Sequence, residues 1–216
     1  MAAVYLSSAC LAPVQYYTKL LSYETVCLET AENYLKQTYR NRYLIAGANG
    51  VQVLTVPVEK PLTEKCLTKD IRISDHGHWR HLHWQALVSA YGLSPFFEYC
   101  QDDFAPFYTR KFDFLFDFNE ALRQLVCELA GLQPDVRFTS HYAPFVPNDF
   151  RESIRPKHPG ADRSFLPKPY YQVFCEKHGF LPNLSIVDLL FNMGPETVSV
   201  LQQSVLSEPS GSGKHT

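Results

Sequence analysis

Short apolar runs alternate with helical periodicities along the first 130 residues. Residues 4–10 read as a short strand, and Pro13 opens a helix through residue 21, where its fixed φ suits a first helical turn. Thr25-Val26-Cys27-Leu28 reads as a second strand, so the chain begins with a βαβ-like unit and a helix on one face of a sheet. Two β-rich runs, at 43–45 and 51–58, flank Gly47-Ala48-Asn49-Gly50 and predict a hairpin. Asp70-Ile71-Arg72-Ile73 alternates polar and apolar like one more strand. The period then lengthens. Residues 78–91 place Trp79, Leu82, His83, Ala86, Leu87 and Ala90 on one helical face, with Ser74 or Asp75 as cap and Gly92 as stop. A second helical stretch follows from Pro95 to about Lys111. The strongest helix runs over 112–130, ended by Gly131.

Beyond it, residues 136–139 suggest another strand, and residues 142–169 are irregular and rich in Pro and charge. A connection that long inside a domain is usually functional or mobile. Ser185-Ile186-Val187-Asp188 matches a capping box with Asp in the Glu position, starting a short helix over 186–192. Gly194-Pro195 breaks it, and Pro195 restarts a helix through 205. Residues 207–216 are polar and Gly/Ser-rich and read as a disordered tail. The expected fold is a single α/β domain over residues 1–206, a mixed β-sheet packed against several helices.

Composition changes this picture little. The 216 residues are 45% hydrophobic and 19% charged, an ordinary globular balance with room for a real core. A net charge of −2 offers no overall attraction to nucleic acid, so no nucleic-acid partner is expected. No apolar run approaches the ~20 residues of a membrane helix, and no signal peptide opens the chain. The six cysteines form no CxxC pair and read as reduced thiols of a cytoplasmic protein. GxGxxG, GxxxxGK[ST], HExxH and GxSxG are all absent, which argues against classical nucleotide-binding folds, zincins and α/β-hydrolases.

Candidate chemistry concentrates in Ser74-Asp75-His76-Gly77-His78-Trp79-Arg80-His81-Leu82-His83-Trp84, which holds four of eight histidines and both tryptophans. His78 and His81 share a helical face and suit a metal, but no acid or cysteine completes a ligand set. Exposed histidines beside a core stripe are the other reading, and no metal is expected. His83 falls on the apolar face with Trp79. It is either a core histidine satisfied by a hydrogen bond or an imidazole at a pocket floor, available as base or donor. Arg40-Asn41-Arg42 can grip a phosphate or carboxylate through guanidinium forks, or can be a solvated alternating strand. Tyr170-Tyr171-Gln172 makes either an aromatic-polar wall or simple packing.

These landmarks together resemble the WbqC-like family of bacterial proteins over about residues 5–201. The resemblance rests on Asn41-Arg42, Leu54-Thr55-Val56-Pro57-Val58, the Trp79-x-x-x-His83 spacing and Tyr91-x-x-x-Pro95-Phe96-Phe97. Asn119 and Ser185-Ile186-Val187-Asp188-Leu189-Leu190-Phe191-Asn192-x-Gly194 complete it. The wording of several stretches is similar to a Bacteroidetes-type branch. Family members typically open with His-Gln-Pro-Asn-Tyr-Leu-Pro. Here that stretch reads Ser7-Ser8-Ala9-Cys10-Leu11-Ala12-Pro13, and the acids that follow the second strand are matched in part by Glu29 and Glu32. The resemblance implies a role in O-antigen or capsule sugar modification, such as acyl or aminoacyl transfer to an amino sugar. The expected function is a transferase-like enzyme with a small-molecule or nucleotide-sugar ligand and no assigned cofactor. His83 is its expected catalytic residue; Arg40, Asn41, Arg42, Trp79, Tyr170 and Gln172 are its expected substrate contacts. The alternative is a non-catalytic binding or assembly protein on the same fold.

Overall fold

The computed structural model describes residues 2–60, 65–157 and 159–206; the expected tail over 207–216 lies outside the described residues. The opening unit forms as the pattern predicts. Strand β1 (Ala3–Ser7) leads through helix α1 (Val14–Ser22) to strand β2 (Thr25–Glu29), and β1 and β2 pair in parallel with Val4 opposite Val26 and Ser7 opposite Glu29. Pro13 precedes α1 without a side-chain cap. The orphan donors of its first turn go instead to the Leu184 carbonyl and the Asn183 side chain, which tie α1 to the far end of the chain.

Strands β3 (Arg42–Gly47) and β4 (Gly50–Thr55) make the hairpin, with Ala48 and Asn49 at the turn and Gly50 at φ 106. A third parallel strand, β5 (Val136–Phe138), joins β2 to give the order β1-β2-β5. The α/β architecture is as expected, with its parallel and antiparallel pairings divided between two sheets. The alternating run at 70–73 forms only single bridges, Val58 with Ile73 and Arg72 with Phe114. It finds no continuous partner, so no strand grows.

Helices α2 (Trp79–Tyr91), α3 (Phe97–Thr109) and α4 (Leu115–Ala130) follow. On α2 the buried face is Trp79, His83, Leu87, Ala90 and Tyr91, whereas Leu82 is 59% exposed and leaves the predicted stripe. Neither Ser74 nor Asp75 caps the helix through its side chain. His76–His78 forms a tight turn in which Gly77 and His78 both take positive φ, and Asp75 pairs with Arg80 and Lys111. Gly131 ends α4 at φ 70, as a left-handed stop should.

After β5 the described residues run irregularly to the one-turn helix α5 (Cys175–His178), then to α6 (Ile186–Met193) and α7 (Thr197–Gln203). Ser185 precedes α6, but the capping box does not close. Its hydroxyl donates to the Leu11 carbonyl, and Asp188 takes other partners. The buried hydrophobic side chains form one continuous cluster from Val4 on β1 to Leu201 on α7, and helix α6 runs through it fully buried from Ile186 to Phe191. No helix among the described residues is long and apolar enough to cross a membrane.

Candidate functional site

Parallel strands that share a direction present their carboxyl ends, and the loops leaving them, at one edge, which is where ligands bind in open α/β sheets. Here that edge carries Ser7 at the end of β1, Glu29 at the end of β2 and Thr139 just after β5. Ser7 and Glu29 are withdrawn from water, and Thr139 is half-buried. Glu29 is 0% exposed, Glu32 5%, Arg40 3% and Arg151 3%.

Two guanidinium groups organise the edge. Arg40 donates through Nε to Glu32 Oε1 at 2.8 Å and through Nη2 to Glu32 Oε2 at 2.6 Å, a fork-to-fork pair. The same Nη2 reaches Ser7 Oγ at 2.8 Å and Glu152 at 3.1 Å. The Ser7 hydroxyl in turn donates to Glu32 Oε2 at 2.8 Å. Arg151 donates to Glu29 at 2.8 Å, grips Asp149 through two nitrogens at 2.9 and 2.7 Å, and caps the Ala143 carbonyl. The hydrogen bonds it donates to Asp149, with the one to Glu29 adding to them, hold the Arg151 guanidinium above its already high range. Burial pushes the Asp149 carboxyl up, but Arg151 outweighs it and the group ends below the usual carboxylate range. Thr139 donates to Glu29 at 2.6 Å, which fixes that carboxylate from the β5 side.

Helix α4 holds the edge from behind. Asn119, fully buried, donates to Ser8 Oγ at 3.1 Å and to the Arg40 carbonyl at 2.8 Å. The segment around Phe150–Ile154 covers the front, bridged to β1 where Phe150 N donates to the Tyr5 carbonyl. Between them lies a void of about 10 Å³ lined by Ser7, Ser8, Arg40 and Arg151, room for a single water.

The residues that the sequence singled out fall into three separate places. Arg40 belongs to the carboxyl edge. Arg42 starts β3 nearby, half-buried, and its Nε has no partner among the described residues. Asn41 turns away and donates to the Val56 carbonyl, pinning the hairpin. His83 sits in an aromatic nest at 4% exposure. It shares a 3.2 Å hydrogen bond with the Tyr43 hydroxyl, which meets Tyr108, and packs edge-on against Trp79. Burial lowers its pKa to about 4, against a hydrogen bond to the Thr55 main chain that works the other way, so the imidazole is neutral at physiological pH. Trp79 is buried and donates to the Ser74 carbonyl. Tyr170 and Gln172 converge elsewhere, on Asp188, each at 2.7 Å, with Tyr91 as a third donor at 2.9 Å. Burial raises the Asp188 carboxyl above its ordinary range, and the three donors restrain that rise.

His76, His78 and His81 are exposed, and no group of three or more His, Cys, Asp or Glu suited to a metal occurs among the described residues. The sequence reading missed Ser7 and Arg151 as site residues and placed Glu29 and Glu32 only by resemblance. A signal was available, because Ser7 and Glu29 are polar residues that directly end two parallel strands.

The match to known proteins covers most of this edge. The profile of the WbqC-like protein family matches residues 10–153, which takes in Glu29, Glu32, Arg40, Asn119 and Arg151. The chain belongs to the WbqC-like protein family. It is also similar to an uncharacterised protein of Mycobacterium tuberculosis, Rv1507c, at 25% identity over 197 residues, covering 78% of this chain and 84% of that one. No solved structure matches. Within a WbqC-like protein the landmarks therefore have distinct duties. Asn119 and Asn41 hold backbone, Arg40 closes the charged edge, and His83 with Trp79 packs the hairpin against α2 and α4.

Proposed function

We propose that this WbqC-like protein is a transferase-like enzyme of bacterial surface-polysaccharide biosynthesis, working at the carboxyl edge of the parallel sheet on a small-molecule or nucleotide-sugar ligand. The observation that carries the reading is the burial of Glu29, Glu32, Arg40 and Arg151 together at that edge. Removing charges from water costs several kcal/mol each, and such networks seldom repay that cost in stability. Charged groups gathered at a ligand-binding edge are the expected equipment of an active site.

Acyl or aminoacyl transfer to an amino sugar, the chemistry associated with the family, needs a base for the acceptor and positive charge for the developing oxyanion. Glu32, bonded to the Ser7 hydroxyl, serves as the base in this reading, and Arg40 supplies the charge. Arg42, with its Nε unpaired, holds an anionic group of the ligand. In this reading His83, Trp79, Asn41, Tyr170 and Gln172 hold the fold elsewhere and do not touch the ligand. Access requires the 150–154 cover to lift.

The test is to incubate the purified protein with nucleotide-activated amino sugars and acyl or aminoacyl donors and to read products by mass spectrometry. Transfer is expected, reduced about a hundredfold or more by Glu32→Gln. No product in any pairing, together with unchanged surface polysaccharide in cells lacking the gene, would sink the reading. A non-catalytic ligand-binding reading is favoured by one observation: Ser7 stands in the stretch where family members carry His-Gln-Pro-Asn. It predicts a ligand that binds and returns unchanged.

A further inference from the structure

Behind Phe150 lies a second and much larger space. A cleft of about 530 Å³ opens between the end of α1, the 161–164 stretch and residues 205–206. That volume lies within the range typical of small-molecule sites. At its floor Lys19 is 2% exposed, with Nζ at 2.6 Å from Asp162 Oδ2, at 2.7 Å from Ser164 Oγ and 4.6 Å above the Phe150 ring. Desolvation lowers the Lys19 pKa, and Asp162 opposes that shift.

The acid here is already committed. Asp162 accepts from Gln15 at 2.8 Å, from Lys19, and from both the Ser164 amide at 3.0 Å and its hydroxyl at 2.7 Å. Burial pushes its carboxyl up, but those donors outweigh burial and keep it ionised. The cleft also holds Arg163, which is exposed and has no ion-pair or hydrogen-bond partner among the described residues. Lys19 and Arg163 against Asp162 alone leave the lining with a net positive charge, on a chain whose overall charge is −2. The remaining wall mixes polar Ser22 and Asn148 with Tyr23, Phe150 and Leu206.

We propose that this cleft is an anion site, taking a phosphate- or carboxylate-bearing small molecule between Lys19 at its floor and Arg163 at its rim, with the ligand's less polar part against Tyr23, Phe150 and Leu206. The Lys19–Asp162 pair is charge-balanced, so the uncompensated charge of Arg163 is what attracts the anion, with the pair held out of water beneath it. Phe150 lines this cleft and also the small void beside Ser7 and Arg40, so the two spaces share a wall residue. The anion site stands on its own lining and holds whether or not the charged edge performs transfer.

Isothermal titration of the purified protein with pyrophosphate, and separately with citrate, tests it. At least one anion is expected to saturate at one per chain, more weakly as salt rises. Which one binds tells a phosphate ligand from a carboxylate ligand. Arg163→Glu, at an exposed position that leaves the fold alone, is expected to weaken binding about tenfold or more. Glu32→Gln, at the charged edge, is expected to leave it unchanged. The proposal fails if neither anion saturates or if Arg163→Glu binds as well as wild type. It fails equally if Glu32→Gln alters binding as strongly as Arg163→Glu, which would put the anion at the charged edge.

Discussion

His83 and Asp188 are both buried against neutral partners, and they answer pH in opposite directions. The folded state holds His83 at about 4, below the ordinary 6.5, so between those values the unfolded chain binds the extra proton. The stability that His83 supports is complete above about pH 6.5 and is lost as pH falls toward 4, by up to roughly 3 kcal/mol. Asp188 has a raised folded value, so the folded state binds the extra proton and its contribution declines as pH rises above the ordinary 3.8. Comparing wild type with His83→Leu separates the two, since Asp188 is common to both. At pH 7.5 wild type is expected to be more stable by about 1 kcal/mol through the lost Tyr43 bond. By pH 4.5 the variant is expected to be the more stable. A difference in urea unfolding free energy that stays flat with pH would refute this. At this scale the inward face of His83 was legible from its spacing with Trp79. The partners of Asp188 were not, because Tyr91 lies 97 residues away and Tyr170 18, whereas the capping-box pattern looks only three residues back.

Elements are decided by a few backbone positions, and Gly194 is the strictest of them. It separates α6 from α7 at φ 50 and ψ −119, and a Cβ there would stand 2.5 Å from the Phe96 ring. Phe96 cannot retreat freely, because its amide is bonded to the Phe191 carbonyl at 2.9 Å. Gly131 also takes a positive φ, but a Cβ on it would meet nothing within 4 Å. Gly194→Ala therefore carries both strain and overlap, about 3 kcal/mol, against about 1 kcal/mol of strain alone for Gly131→Ala. Equal losses in denaturant midpoint for the two variants would show that the Phe96 contact is soft. Both glycines were readable in the sequence as helix breaks, Pro13 as the opening of α1 and Gly47-Ala48-Asn49-Gly50 as the hairpin turn, because turn chemistry is local. The strand expected at 70–73 shows the limit: alternation was present, but extended chain becomes a strand only where a partner runs alongside.

At the scale of the whole molecule, Arg151 ties part of the irregular stretch that opens at residue 142 to the sheet. Arg151 joins Glu29 on β2 to Asp149 and the Ala143 carbonyl, and the Tyr5–Asp149 bridge lays the segment beside β1. None of this was visible in sequence, since Arg151 meets Glu29 across 122 residues and Ser7 across 144. Local patterns carry no record of such pairings. The region showed only as a long irregular stretch, with no indication of what it covered. A lysine at 151 keeps the charge but has a single nitrogen, so it cannot grip Asp149 through two bonds while reaching Glu29 and Ala143. In Arg151→Lys the cover is expected to loosen while the core stays folded. Hydrogen exchange is the direct measurement. Amides of the 148–154 stretch, above all Phe150, whose bond to Tyr5 is 2.9 Å, are expected to exchange about tenfold faster or more, whereas α6 keeps its protection. If exchange rises equally in both regions, Arg151 serves global stability and the cover has no independent motion. If it rises in neither, other contacts hold the cover, and the route to the charged edge must lie elsewhere.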